Sequence, residues 1–196
     1  EDVYRLAGVA GDDRVFSTAG ESLRKRVPWL QVNLFTAFLA ASVVAVFEGG
    51  IKDVPALAVF MPVVAGMGGN AATQTLTVIV RGIALGELTW ANSRKALFKE
   101  AAVGLGNGIA CGLVGMLVVW AWKGDIWLGA ILCAAMVINM FVAATAGTLI
   151  PLALRAMKVD PALASSVFIT TLTDVFGFAS WLGLSTLFIH KLLPSG

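Results

Sequence analysis

VFMPVVAGMGGNAATQTLTVIV, residues 59–80, carries no charged side chain. A helix needs about 20 mostly apolar residues to cross a bilayer, and this run is long enough. Its centre is nevertheless unusual for lipid, because Pro62, Gly66, Gly68, Gly69 and Asn70 crowd together there. Proline removes a backbone donor and glycines weaken a helix locally. Such backbone is tolerated at membrane depth where protein surrounds it or where it lines a watery cavity. Asn70, Thr73, Gln74 and Thr77 then make one polar stripe at helical spacing. A kinked helix bonded to its neighbours would account for these residues. A broken segment lining a cavity accounts for them better, and is the expectation here.

The surrounding chain agrees with a membrane location. Of 196 residues, 58% are apolar and 13% charged, with a mean hydropathy of +0.86. A soluble domain carries roughly 25% charged residues. The net charge of +2 is too small to suggest a nucleic-acid partner. Cys111 and Cys133 lie inside apolar runs with no second ligand at metal-site spacing, and read as packing residues. No intramembrane His stands ready to activate a Ser or Cys nucleophile, so an enzyme is not expected.

Five stretches qualify as spans: 29–47, 54–80, 101–122, 126–154 and 161–189. Pro28 is expected to open the first, and Glu48-Gly49-Gly50 to close it. The basic residues near the span ends are unequally shared. Arg24, Lys25, Arg26, Arg81, Arg94, Lys95, Lys99, Arg155 and Lys158 fall on one side, against Lys52, Lys123 and Lys191 on the other. The positive-inside bias places the first side in the cytoplasm. The expected protein is therefore all-α, with five transmembrane helices, its N-terminus inside and its C-terminus outside a plasma (inner) membrane.

Residues 1–23 are polar and read as a cytoplasmic connector, leaving 24–196 as the membrane domain. The first residue is Glu and no signal peptide precedes the first span, as expected for a piece of a longer protein. Between the second and third spans, residues 81–100 suffice for a short interfacial helix, with Leu88, Trp90, Ala96 and Leu97 toward the headgroups. Within the third span Gly104, Gly108 and Gly112 recur every four residues, joined by Gly115. They predict a smooth face on which another helix approaches closely.

The fifth span poses a different problem. FITTLTDVFGF, residues 168–178, sets Asp174 about 13 residues after Pro161, roughly 20 Å along a helix. An Asp at the centre of a membrane helix costs about 2.5–3.5 kcal/mol on insertion scales. Ser166, Thr170, Thr173 and Gly177 fall on or near its face. The other acids and bases in the chain can reach an interface, and no Lys, Arg or His lies at its depth. The carboxyl is therefore protonated among hydroxyls, or ionised beside a cation that the chain does not supply. The second is favoured, because intramembrane acids are functional by default.

The ligands on offer are all oxygen: one carboxylate, the hydroxyls of Thr170 and Thr173, the Asn70 amide, and backbone carbonyls. Soft-metal chemistry is disfavoured. Mg²⁺ dehydrates reluctantly and binds through one or two carboxylates with several waters retained, whereas Ca²⁺ takes six to eight oxygens. The same oxygen ligands also suit monovalent ions.

Three stretches carry a family likeness: VPWLQVNLFTAFLAASVV (27–44), MPVVAGMGGNAATQTLTVIVRG (61–82) and TTLTDVFGF (170–178). Together they resemble the MgtE family of magnesium channels, from about Arg24 onward. The resemblance implies a homodimer in the lipid bilayer with a pore on its two-fold axis, lined by the second and fifth spans. Asp174 matches the family's pore aspartate, which with its symmetry mate holds a hydrated Mg²⁺. The Thr170 carbonyl and Asn70 match pore positions, and Gly66, Gly69, Thr73, Ser166, Thr173 and Gly177 are expected nearby. The family also carries cytoplasmic Mg²⁺-sensing domains, whose linking helix EDVYRLAGV (1–9) resembles. The competing expectation is a proton- or Na⁺-coupled transporter of divalent cations using Asp174 as its coupling site. Such transporters usually show paired broken segments, and only one is evident here.

Overall fold

The computed structural model describes residues 16–159 and 161–192, with the backbone alone for 161–165. Most of the expected connector, residues 1–15, lies outside the described residues. The elements are helices: α1 (Ala19–Val46), α2 (Glu48–Asp53), α3 (Ala56–Ala84), α4 (Ser93–Lys123), α5 (Ile126–Ala156), α6 (Pro161–Leu187) and α7 (Ile189–Leu192). Five of them, α1 and α3 to α6, are long and apolar enough to cross a membrane. The chain is an all-α, five-span membrane protein.

Two helices begin well before the apolar run that announces them. α1 starts at Ala19, because Thr18 and Glu21 close a capping box. The Thr18 hydroxyl accepts from the Glu21 N–H at 3.4 Å, and the Glu21 carboxylate accepts from the Thr18 N–H at 3.2 Å. Pro28 consequently lies inside α1 rather than at its start. At its other end α1 closes at Val46, just ahead of Glu48-Gly49-Gly50 as expected, and those three residues open the separate short helix α2, where Lys52 pairs with Glu48 at 2.9 Å. α4 starts at Ser93, so the expected interfacial helix is absent and its residues split between a turn and α4. Asn92 braces that turn, accepting from the Thr89 N–H and donating to the Glu87 carbonyl, both at 2.8 Å. Leu88 is buried there, while Arg155 at the end of α5 donates to its carbonyl at 2.8 Å.

α3 corrects a further expectation, since it runs unbroken through Pro62 and the glycines. Neighbouring helices donate to its backbone on either side of Pro62. The Trp181 indole of α6 reaches the Leu57 carbonyl, and the Asn139 amide of α5 reaches the Val64 carbonyl, each at 2.9 Å. Trp181 is wholly buried and meets Phe60 edge-on, with ring centroids 6.4 Å apart.

α5 is the central post, with α3, α4 and α6 packed round it. A two-residue link joins it to α4: Gly124 takes φ +72°, the left-handed cap that glycine adopts freely, and the Asp125 carboxylate caps Trp127 and Leu128. The expected glycine seam forms between these two helices. A Cβ added to Gly104 would lie 2.7 Å from the Met140 carbonyl oxygen, one on Gly108 2.7 Å from the Val137 Cα, and one on Gly112 2.8 Å from the Cys133 sulfur. In lipid no hydrophobic force holds helices together, so this close packing supplies the attraction.

The seam yields a paired test. Gly108→Ala forces backbone against backbone and should destabilise the protein by about 1–3 kcal/mol, the usual range for overpacking. Gly106→Ala, on the same helix but with nothing within 4 Å of its added methyl, should leave thermal unfolding in detergent unchanged. Equal effects at both positions would contradict the seam.

Candidate functional site

Asp174 is the middle residue of α6, and Asn70 is the middle residue of α3. Both positions are therefore equidistant from the two ends of their helices. Asn70 is exposed on the surface of the protomer and Asp174 is half-buried. Neither side chain finds a hydrogen bond or ion pair among the described residues. Thr73, Gln74 and Thr77 continue the exposed stripe down α3, with Gly66 exposed and Gly69 half-buried on the other side of Asn70.

The hydroxyls of this stripe are oriented by the helix. Thr73 donates to the Gly69 carbonyl at 2.9 Å, and Thr77 donates to the Thr73 carbonyl at 2.8 Å. With each proton committed to backbone, the oxygen has only lone pairs left to offer. Such a surface accepts from water or faces a cation.

On α6 the expected face is only partly realised. Thr170 is exposed and Ser166 half-buried, but Thr173 and Gly177 are buried inside the protomer. Successive residues turn about 100° round a helix, which carries Thr173 away from Asp174 and into the core. Its hydroxyl donates to the Thr170 carbonyl at 3.0 Å, adding a bond to the oxygen expected at the pore. Gly177 turns toward α5 and meets Asn139.

Among the buried polar groups that escape the sequence reading, Glu100 and Asn139 bear most on the site. Glu100 is 4% exposed, and its carboxylate takes the Thr75 hydroxyl at 3.3 Å and the Lys99 ammonium. It is a buried acid with its partners in the same chain, the opposite of Asp174. Asn139 is 1% exposed near the middle of α5. Its only signal is a single amide in an otherwise apolar stretch, ILCAAMVINMFV (131–142).

At the midpoints of two packed helices there are therefore a carboxylate with no counter-charge among the described residues, on α6, and a file of exposed amides and hydroxyls, on α3. Among the described residues no group of three or more His, Cys, Asp or Glu comes together, so any cation here is held by few protein charges. A family model described as "Divalent cation transporter", that of MgtE, matches residues 61–184. The chain belongs to the MgtE family. That match includes Asn70, Asn139 and Asp174. Curated MgtE relatives agree with it along nearly the whole chain. The magnesium transporter MgtE of Bacillus subtilis is 35% identical over 98% of this chain and 43% of its own length. Its namesake from Thermus thermophilus is 34% identical, also over 98% of this chain and 43% of itself. That from Enterococcus faecalis is 35% identical over 96% and 42% respectively. The chain thus spans less than half the length of these MgtE relatives.

The two faces of α3 and α6 can be separated by chemistry. In a chain carrying Cys111→Ala and Cys133→Ala, Asn70→Cys and Thr73→Cys should react readily with a water-soluble, membrane-impermeant thiol reagent. Thr173→Cys should react slowly or not at all, since thiolate chemistry needs access. Labelling at Thr173→Cys as fast as at Asn70→Cys would reverse this assignment of faces.

Proposed function

We propose that this chain forms a homodimer whose two-fold axis stands along the membrane normal, and that hydrated Mg²⁺ passes down that axis between α3 and α6 of the two copies. The observation that carries the proposal is Asp174, central in α6 and with no partner among the described residues, on a helix packed against α3, which bears an exposed polar stripe at its own centre. Lipid cannot solvate that face. A second copy presenting the same face can, with water and an ion between them. An odd number of spans puts both N-termini on one side, cytoplasmic by the distribution of basic residues, which suits a closed two-fold along the normal.

Two Asp174 carboxylates facing each other match the charge of one divalent ion. The chain offers few other oxygens at that depth, so the ion keeps its hydration shell, as Mg²⁺ prefers. Asn70 and the Thr170 carbonyl accept from those waters, while Gly66, Gly69, Thr73 and Ser166 line the approach. Thr173 and Gly177 act from inside the protomer instead. Magnesium transporters are the relatives this chain resembles, which supports Mg²⁺ as the cargo. Regulation by cytoplasmic sensing domains belongs to the same proposal.

Asp174→Asn tests it. The change keeps shape and removes two charges per dimer. A unit-charge pair at 4 Å is worth about 4 kcal/mol at an effective dielectric of 20, before desolvation is subtracted. Under voltage clamp, Mg²⁺ current should fall by orders of magnitude while the protein stays folded. Asp174→Glu should be intermediate, its extra methylene displacing waters. An Asn variant with undiminished current would make Asp174 a structural acid. A flux that needs a proton or Na⁺ gradient, rather than Mg²⁺ and voltage alone, would favour coupled transport.

A further inference from the structure

Asn139 of α5 lies on neither exposed face, yet it touches both helices that carry the proposed ion path. Its Nδ2 donates to the Val64 carbonyl of α3. The side chain occupies a slot between two bare backbones. A Cβ on Gly68 of α3 would overlap Nδ2, and one on Gly177 of α6 would lie 2.7 Å from the same atom. Gly68 is two residues from Asn70, and Gly177 three residues from Asp174. Its Oδ1 is buried and accepts no hydrogen bond.

A buried, unpaired acceptor is destabilising, and an apolar group of the same shape would avoid that penalty. The amide is therefore a poor choice for stability alone. What it supplies is direction. A hydrogen bond to one named carbonyl fixes how far α3 can slide along α5, and the two glycine contacts fix how closely α3 and α6 approach through it. Leucine would fill the volume without choosing a register. Buried polar groups of this kind are best attested as devices that set register.

We infer that Asn139 is a positioning residue for the divalent-cation path: by gripping α3 at Val64 and Gly68 and α6 at Gly177, it sets the separation of Asn70 and Asp174. The inference rests on the reading of those two residues proposed above. It makes Asn139 to this site what outer-shell partners are to metal ligands, whose loss typically weakens metal binding about 10–100-fold. No contact between Asn139 and the ion is involved.

The test compares Asn139→Leu with the unaltered chain in proteoliposomes, measuring Mg²⁺ flux against concentration, Ca²⁺ flux, and thermal unfolding. Unfolding should shift little in either direction, since the unpaired Oδ1 and the Nδ2 bond to Val64 are removed together. The half-saturating Mg²⁺ concentration should rise about tenfold or more, and discrimination against Ca²⁺ should narrow. Unchanged half-saturation and discrimination would overturn the inference, as would a loss of flux that merely tracks a loss of stability. A second pair addresses the slot itself. Gly68→Ala alone should lower the unfolding temperature, and adding Asn139→Ala should restore it without restoring half-saturation; absence of that restoration would count against the contact. Asp174→Asn in the same vesicles separates the two levels. If it abolishes Mg²⁺ binding while Asn139→Leu changes nothing, only the positioning role fails; if it leaves flux intact, the ion path fails and the positioning role with it.

Discussion

A carboxylate at the centre of a membrane helix, with no counter-charge among the described residues of its own chain, constrains everything around it. Asp174 sits at the midpoint of α6, and those residues give it neither cation nor hydrogen-bond donor. Glu100 shows what the chain does with a buried acid it means to keep for structure: a hydroxyl and an ammonium are brought to it. The different treatment of Asp174 is the argument that its partner comes from outside. The exposed stripe from Asn70 to Thr77 follows the same logic: the Thr73 and Thr77 hydroxyl protons are turned inward to the helix, so those two oxygens present lone pairs outward.

Holding such a face open requires a rigid back. α5 provides it, wedged between α3, α4 and α6 and sealed to α4 by glycines that leave no room for a side chain. The polar contacts across this core are few and specific. Trp181 and Asn139 each donate to one α3 carbonyl, on opposite sides of Pro62, so the helix with the weakest backbone is the one most firmly held from behind. Asn70 and Asp174 are thereby carried on helices whose positions are set elsewhere in the core.

Much of this is legible in the sequence because lipid leaves few choices. Backbone groups must be satisfied within the segment, so hydropathy and length alone give five helices. The four-residue glycine repeat predicts its seam for a similar reason, since only a face of small residues permits such close approach. Hydropathy misplaces helix starts where charge interrupts the apolar pattern. Glu21 to Arg26 and Ser93 to Glu100 are too polar for a hydropathy window, yet a capping box at Thr18 carries the helix through the first and helix-favouring Arg, Lys, Ala and Leu carry it through the second. The second span reads as broken because Pro62 and the glycines describe local weakness only. The side chains that reach its backbone from neighbouring helices come from residues 75 and 124 positions away. Distance also hides Asn139, whose partners Val64, Gly68 and Gly177 no local pattern connects. Thr173 and Gly177 fall on the other side from the one expected, because helical spacing gives an arc and packing decides which part of the arc is buried.

The central claim is that two chains share one hydrated divalent ion through their Asp174 carboxylates. Mn²⁺, bound in place of Mg²⁺ and read by electron paramagnetic resonance, tests this most directly, because it counts ions and detects the protons of coordinated water. The account predicts one tightly held Mn²⁺ per two chains, with most of its coordinated water retained, and its loss when Asp174 is replaced by Asn. One ion per chain, or an ion stripped of water by direct protein ligands, would contradict it.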